Sequence, residues 1–214
     1  MKYGFFPRAK WAVFQGPFRR QLPIITGCET SALMRRVKHT YREILRPVSK
    51  FERNDRFLVN LLSATILAAV YLNLPGKPGL ESVMAYYHRA MTENAVMKVF
   101  LRKDDHYCAK FQVKLARQAE ASWYRSNPYT WQFRFEAGPD LNSYSTYFDT
   151  CGIVYLFRKL GISEITPAMC SYDYDMAEFG GSVFNRRHTL TGGGPCCDCH
   201  YQKKVLPAGA LSYR

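Results

Sequence analysis

The sequence contains no lysine-rich run, no zinc-finger spacing and no RNA-binding signature, so nucleic acid is not expected as a partner. It has no internal repeat and no low-complexity linker, which excludes solenoids and tethered arrays. The opening stretch MKYGFFPRAKWAVF has no uninterrupted apolar core followed by a small-residue cleavage site, so no signal peptide is expected. Carboxylates are scarce: 17 Asp and Glu stand against 30 Lys and Arg, a formal charge of +13 at pH 7. Such a surplus accompanies nucleic acid, anionic lipid or anionic substrates, and equally a soluble protein that is merely cationic. The 7 cysteines are an odd number without the spacing of a secreted disulfide framework. Cysteine in a reducing cytoplasm is buried, catalytic or metal-binding, and a cytoplasmic location is expected.

What is present is a folded chain. At 214 residues, 47% hydrophobic and 15% aromatic, it can bury one substantial core or two small ones. Residues 1–28, rich in proline, glycine and aromatics, read as an irregular arm, and 29–214 as a single α+β domain. From Thr30, Leu33, Met34, Val37, Tyr41, Ile44, Leu45 and Val48 recur at helical steps, with Pro47 helping to end the helix. Phe57 to Leu74 is apolar nearly all round. It approaches the roughly 20 residues a bilayer needs, but Asn60, Ser63, Thr65 and Asn73 suit a central buried helix better, so no membrane partner is expected. Leu80 to Arg102 reads as one helix, and Asp104-Asp105 as the start of another that carries Phe111, Leu115, Ala119 and Trp123. Trp131, Phe133 and Phe135 alternate as in a strand, while Ser143 to Leu160 reads as a helix stopped by Gly161. The fold class is therefore α+β: a helical first two thirds packed with a small antiparallel sheet that includes a C-terminal hairpin.

The groups able to do chemistry gather between Cys151 and Tyr201. Thr166-Pro167 signals a helix start, placing Cys170 and Asp173 three apart on one face. Cys170 would lie in the first turn, where the helix dipole favours a thiolate, although Asp173 opposes it. Val183 to Leu190 and Cys197 to Val205 read as paired strands around Gly192-Gly193-Gly194. Alternation sets Phe184, Arg186 and His188 on one face of the first strand. On the second it sets Cys197, Cys199 and Tyr201 opposite Asp198 and His200.

Residues 130–204 resemble the L-2-amino-thiazoline-4-carboxylic acid hydrolase family. The resemblance rests on Cys170 and Asp173, then Phe184, Arg186, Thr189, Leu190, Gly193, Gly194, Cys197 and Asp198, departing at Cys199 where the family pattern has phenylalanine. It implies hydrolytic opening of a carboxylated 2-aminothiazoline ring to N-carbamoyl-L-cysteine, or of a related cyclic amidine. Cys170, Asp173, Cys197 and Asp198 would be catalytic. Asp173 or Asp198 could activate water, and Cys170 or Cys197 could attack covalently. Arg186, Thr189, Gly193, Gly194 and Cys151 would bind substrate, with Arg186 pairing to its carboxylate. No cofactor is expected on this reading. The alternative is a non-catalytic small-molecule-binding module, similar to the vinyl-4-reductase-type sensor domains, with zinc held by Cys151, Cys170, Asp173 and Cys197.

Overall fold

The computed structural model describes residues 1–26, 30–52, 55–101 and 106–205, with residues 98, 100 and 101 by backbone alone. In chain order the elements are α1 (Phe5–Gln21), α2 (Thr30–Leu45), α3 (Leu58–Leu72), α4 (Leu80–Thr92), α5 (Ala95–Leu101) and α6 (Ala109–Ser122). Then come β1 (Phe133–Ala137), β2 (Ser143–Phe148), α7 (Gly152–Leu160), α8 (Thr166–Phe179), β3 (Ser182–Asn185) and β4 (Cys197–Lys203). The class is α+β. The strands form one antiparallel sheet in the order β1-β2-β4-β3.

α3 is the central helix. Every residue from Leu61 to Tyr71 is buried, and each large apolar side chain there contributes on the order of 1.5–3 kcal/mol. Its polar groups are satisfied inside the protein. Thr65 and Ser63 donate to the carbonyls of Leu61 (2.8 Å) and Val59 (3.2 Å), and Asn73 donates to Thr40 of α2 (2.7 Å). No described helix is long and apolar enough to cross a membrane. α2 packs on α3 and α1 on α4, with all the expected α2 face residues buried. α3 and α4 in turn meet α7 and α8, so they form the layer between the N-terminal helices and the C-terminal elements. α6 covers β1 and α8 covers β3.

Several elements depart from the sequence expectation. Residues 5–21, expected to be irregular, form α1. Pro7 sits in its first turn, where a missing N–H costs nothing, and Trp11, Phe14 and Phe18 bury one face at helical spacing. The expected single helix 80–102 is broken. Thr92 ends α4, and the Asn94 side chain accepts from the backbone N–H of Val96 (3.0 Å) and Met97 (3.4 Å), starting α5. The expected boundary at Asp104-Asp105 lies outside the described residues. Trp123 is exposed rather than part of the α6 stripe. Residues 143–148, expected to be helical, form β2. Their aromatic and hydroxyl side chains alternate, with Tyr144 and Thr146 buried, and they pair with β1 on one side and β4 on the other. The helix resumes only at Gly152 and ends on Gly161, whose φ of 66° is left-handed as a C-cap requires.

Candidate active site

α8 begins at Thr166, but the preceding 3-10 turn Ser163–Ile165 supplies the lead-in. The Thr166 hydroxyl donates back to the Ser163 carbonyl (2.8 Å) and does not cap the helix. Cys170 is thus the fifth helical residue, past the first turn, and the expected dipole-favoured thiolate is not what the fold provides. Burial pushes the Cys170 thiol up to about 11; Asp173 adds to that, and Arg186 only partly opposes it.

Asp173 lies one turn on from Cys170 and is joined to Arg186. The guanidinium donates to the carboxylate at 2.6 Å and to the Cys170 carbonyl at 2.8 Å, so it ties together a side chain and a backbone group of the same helical turn. The Arg186 side chain is only 6% exposed, with its carbon centre 5.4 Å from the ring of Phe184 and 5.6 Å from that of Tyr174. Burial raises the Asp173 carboxyl above its ordinary value, and Arg186 limits the rise without cancelling it. Arg186 was expected to hold a substrate carboxylate. Its fork is instead engaged with the protein's own carboxylate and backbone.

The strand expected over 183–190 stops at Asn185, because the chain then turns inward at Arg186. β3 and β4 still pair, with Phe184 opposite Tyr201 and Asn185 opposite His200. A 3-10 turn at Leu190–Gly192 fills the connection, and Gly193 adopts φ 82°, which a side chain would strain. Thr189 builds this turn: its hydroxyl accepts from the Gly192 N–H (3.0 Å), while its carbonyl accepts from the Gly194 N–H (3.0 Å). The amides of Gly192 and Gly194 are therefore spent inside the loop. The turn carries Thr191 to within 3.9 Å of the Cys170 sulfur, with the Thr189 and Thr191 hydroxyls 3.0 Å apart. The Leu190 N–H donates to the Cys197 sulfur (3.3 Å).

Cys197 and Cys199 face α8, as alternation predicts. Cys199 packs with Ala177 and Phe184, and burial raises both thiols. Burial also raises Cys151 at the start of α7, to about 12, with Cys170 and Cys197 close enough to add to the effect. Cys151, Cys170, Asp173 and Cys197 thus belong to one interior neighbourhood. They are not arranged as a ligand set: among the described residues no group of three or more His, Cys, Asp or Glu side chains could hold a metal ion. Asp173 is paired with Arg186, and the Cys197 sulfur accepts from the Leu190 amide.

Asp198 is on the other side of β4. It accepts from the backbone N–H groups of Arg187 (3.1 Å) and His188 (2.5 Å), and its second oxygen lies 3.4 Å from His188 Nδ1 and 3.6 Å from His200 Nε2. Burial alone would raise its pKa, but the hydrogen bonds from the His188 backbone and ring win and lower it. The structure therefore separates Asp198 from Cys170 and Asp173. It lines a surface pocket of about 660 Å³ with Asn185, Arg186, Arg187, His188 and His200. Arg186 belongs both to this pocket and to the interior cluster. Sequence reasoning missed Thr191 and Arg187 and set His188 and His200 aside; His188 and Asp198 are ten residues apart, a separation that says nothing until β4 folds back.

The sequence model of the L-2-amino-thiazoline-4-carboxylic acid hydrolase family matches residues 59–201, from α3 to the middle of β4. The chain belongs to this family. The match takes in the whole cluster from Cys151 to Asp198 and leaves α1 and α2 outside it. No curated protein matches the chain, and no solved structure does. The family bears the name of a hydrolase, which agrees with the function that the residue pattern implies.

Proposed function

We propose that the protein hydrolyses a carboxylated cyclic amidine, L-2-amino-thiazoline-4-carboxylate or a close relative, with Asp173 as the general base. The observation that supports this most is the Arg186 clamp, which fixes Asp173 against the turn that carries Cys170 and borders the surface pocket. A base is effective when its pKa approaches the working pH, and burial moves Asp173 in that direction. The thiols move the other way. Cys151 at about 12 and Cys170 at about 11 hold their protons at neutral pH, which argues for attack by water over attack by a resting thiolate.

In this reaction the water oxygen adds to ring carbon C2 while Asp173 accepts the proton. The electron pair of the C2=N3 bond moves to N3, which takes that proton from Asp173. Collapse of the tetrahedral centre then forms the carbonyl and breaks the C2–sulfur bond, with Asp173 carrying the proton of the C2 hydroxyl to the departing sulfur. The net change is addition of one water, and the product is N-carbamoyl-L-cysteine. Arg187, exposed at the pocket and with no ion pair among the described residues, is the cation for the substrate carboxylate. Arg186 acts by positioning Asp173.

The test follows thiol release from L-2-amino-thiazoline-4-carboxylate and from a panel of related thiazolines and cyclic amidines. Asp173→Asn should abolish turnover, Arg187→Gln should raise KM, and Cys170→Ser should retain most activity. A dead Cys170→Ser variant, together with a substrate adduct on Cys170 in the intact mass, would replace the water route by a covalent one. No turnover of any member of the panel would remove the hydrolase reading.

A further inference from the structure

The charge of the chain is not evenly distributed. Residues 1–50 carry 11 Lys and Arg against 2 Glu, a net +9 of the total +13. That segment contains α1 and α2, which lie outside the family match and are separated from α7 and α8 by α3 and α4. Its cations therefore have no part in the proposed reaction.

α1 and α2 run antiparallel. The Met1 nitrogen donates to the Leu45 carbonyl (2.9 Å) and Tyr41 donates to the Pro7 carbonyl (3.3 Å), while the far end of α1 meets the start of α2. On α1, Phe5, Arg8, Ala12, Gln15 and Arg19 recur at steps of three and four and face outward. On α2, Ser31, Arg35, Lys38 and Arg42 do the same. Between the helices lies a groove of about 570 Å³ whose floor includes Trp11 and Met34 and whose rims carry Arg19, Arg35 and Lys38. Among the described residues no carboxylate pairs with these three cations, and none lines the groove. At the N-terminal end of α1, Phe5 is 78% and Phe6 65% exposed, with Val13 exposed further along. The two rings pack edge to face, 5.6 Å between centroids, as one apolar wedge.

We propose that this face of α1 and α2 docks the protein peripherally on a bilayer surface rich in anionic phospholipid, with Arg19, Arg35 and Lys38 taking headgroup phosphates and Phe5 and Phe6 entering the acyl boundary. Two independent features select that occupant. Unpaired cations with an apolar floor complement phosphate headgroups, and each cation near such a surface strengthens binding on the order of fivefold. The exposed aromatic wedge fits the interfacial zone, where aromatic side chains of amphipathic helices sit. Single-stranded nucleic acid would use aromatic rings spaced as platforms for successive bases; here the rings are adjacent and packed edge to face against each other, and Val13 offers no ring. The expectation of no membrane partner followed from the want of a spanning segment, which a peripheral surface does not need.

The experiment is flotation of the full chain with vesicles of phosphatidylcholine alone and of equal parts phosphatidylcholine and phosphatidylglycerol. Binding should appear only with the anionic vesicles and weaken as salt rises. Arg19→Gln, Arg35→Gln and Lys38→Gln combined should reduce it roughly a hundredfold. Phe5→Ser with Phe6→Ser should reduce it by about tenfold or more. All of these residues except Phe6 line the groove or share the outward face, and all five side chains are exposed, so unchanged circular dichroism and Tm serve as the folding control. No flotation at low salt would overturn the proposal. So would anionic binding indifferent to the Phe pair, or displacement from vesicles by a single-stranded oligonucleotide that binds the Phe5→Ser/Phe6→Ser variant equally well; the last outcome would assign the face to nucleic acid.

Discussion

The surroundings of α3 and the contact of α8 with β4 are both buried, yet they are built from different groups. Around α3 the interior is Leu61, Leu62, Ile66, Leu67 and small alanines, and the Ser63 and Thr65 hydroxyls are spent on their own helix. Between α8 and β4 a guanidinium, a carboxylate and several thiols share a low-dielectric space, and each titration is displaced by it. The first arrangement stabilises; the second stores reactive groups in fixed positions at the expense of some stability. Substitutions in the two regions should therefore separate activity from folding.

The largest effect is expected from Asp173→Asn, which should lower kcat for thiazoline hydrolysis by about 10²–10⁴ while the far-ultraviolet circular dichroism stays native. The counterpart in the other region is Ile66→Ala. The side chain is fully buried, and its truncation should cost about 2–5 kcal/mol in denaturant unfolding, with activity per folded molecule unchanged. Arg186→Ala links the two. Breaking a wholly buried pair costs about 3–5 kcal/mol, but Asp173 keeps 33% of its side-chain exposure, so about 2 kcal/mol is expected, along with a fall in activity. Arg186→Lys should recover part of the stability and little of the activity, since a lysine cannot reach Asp173 and the Cys170 carbonyl as a fork.

A pH series is the next discriminator. The Cys170 thiol is raised from 9.0 to about 11, so its alkylation rate should keep climbing beyond pH 9 and level off near 11. The linkage has a definite sign. Between those two values the unfolded chain has lost a proton that the folded chain keeps, so the contribution of Cys170 to stability is present below pH 9 and declines as pH rises toward 11. An alkylation midpoint near 9 would show that the thiol is not buried as described. The smallest effect belongs to Arg19→Gln, Arg35→Gln and Lys38→Gln, each expected to change stability by no more than about 0.5 kcal/mol.

Much of the helical layer could be read in advance, because one apolar face at a period of 3.6 is a local signal; the buried residues of α2 are the ones its spacing names. The errors fell where a local signal was ambiguous. Residues 143–148 carry aromatics compatible with either period, and pairing with both β1 and β4 decides for a strand. Residues 5–21 contain Gly16 and Pro17 late in the segment, yet packing of Trp11, Phe14 and Phe18 on neighbouring helices outweighs that local cost. At the site, the shared face of Cys170 and Asp173 follows from a spacing of three on a helix. The commitment of Arg186 to Asp173, the approach of Thr191 to Cys170, and the gathering of His188 and His200 around Asp198 follow from no spacing at all.

The sequence by itself determined the α+β class, the buried central helix, the family, and the region that carries reactive side chains, because these depend on composition, period and a run of fixed residue types. Tertiary structure alone decided which cation neutralises which carboxylate, that burial pushes the thiols up, that Asp198 stands apart from Asp173, and that the cationic segment 1–50 folds into a pair of helices remote from the site. Those outcomes depend on distances between residues far apart in the chain and on the water excluded from between them, and neither quantity exists until the chain has folded.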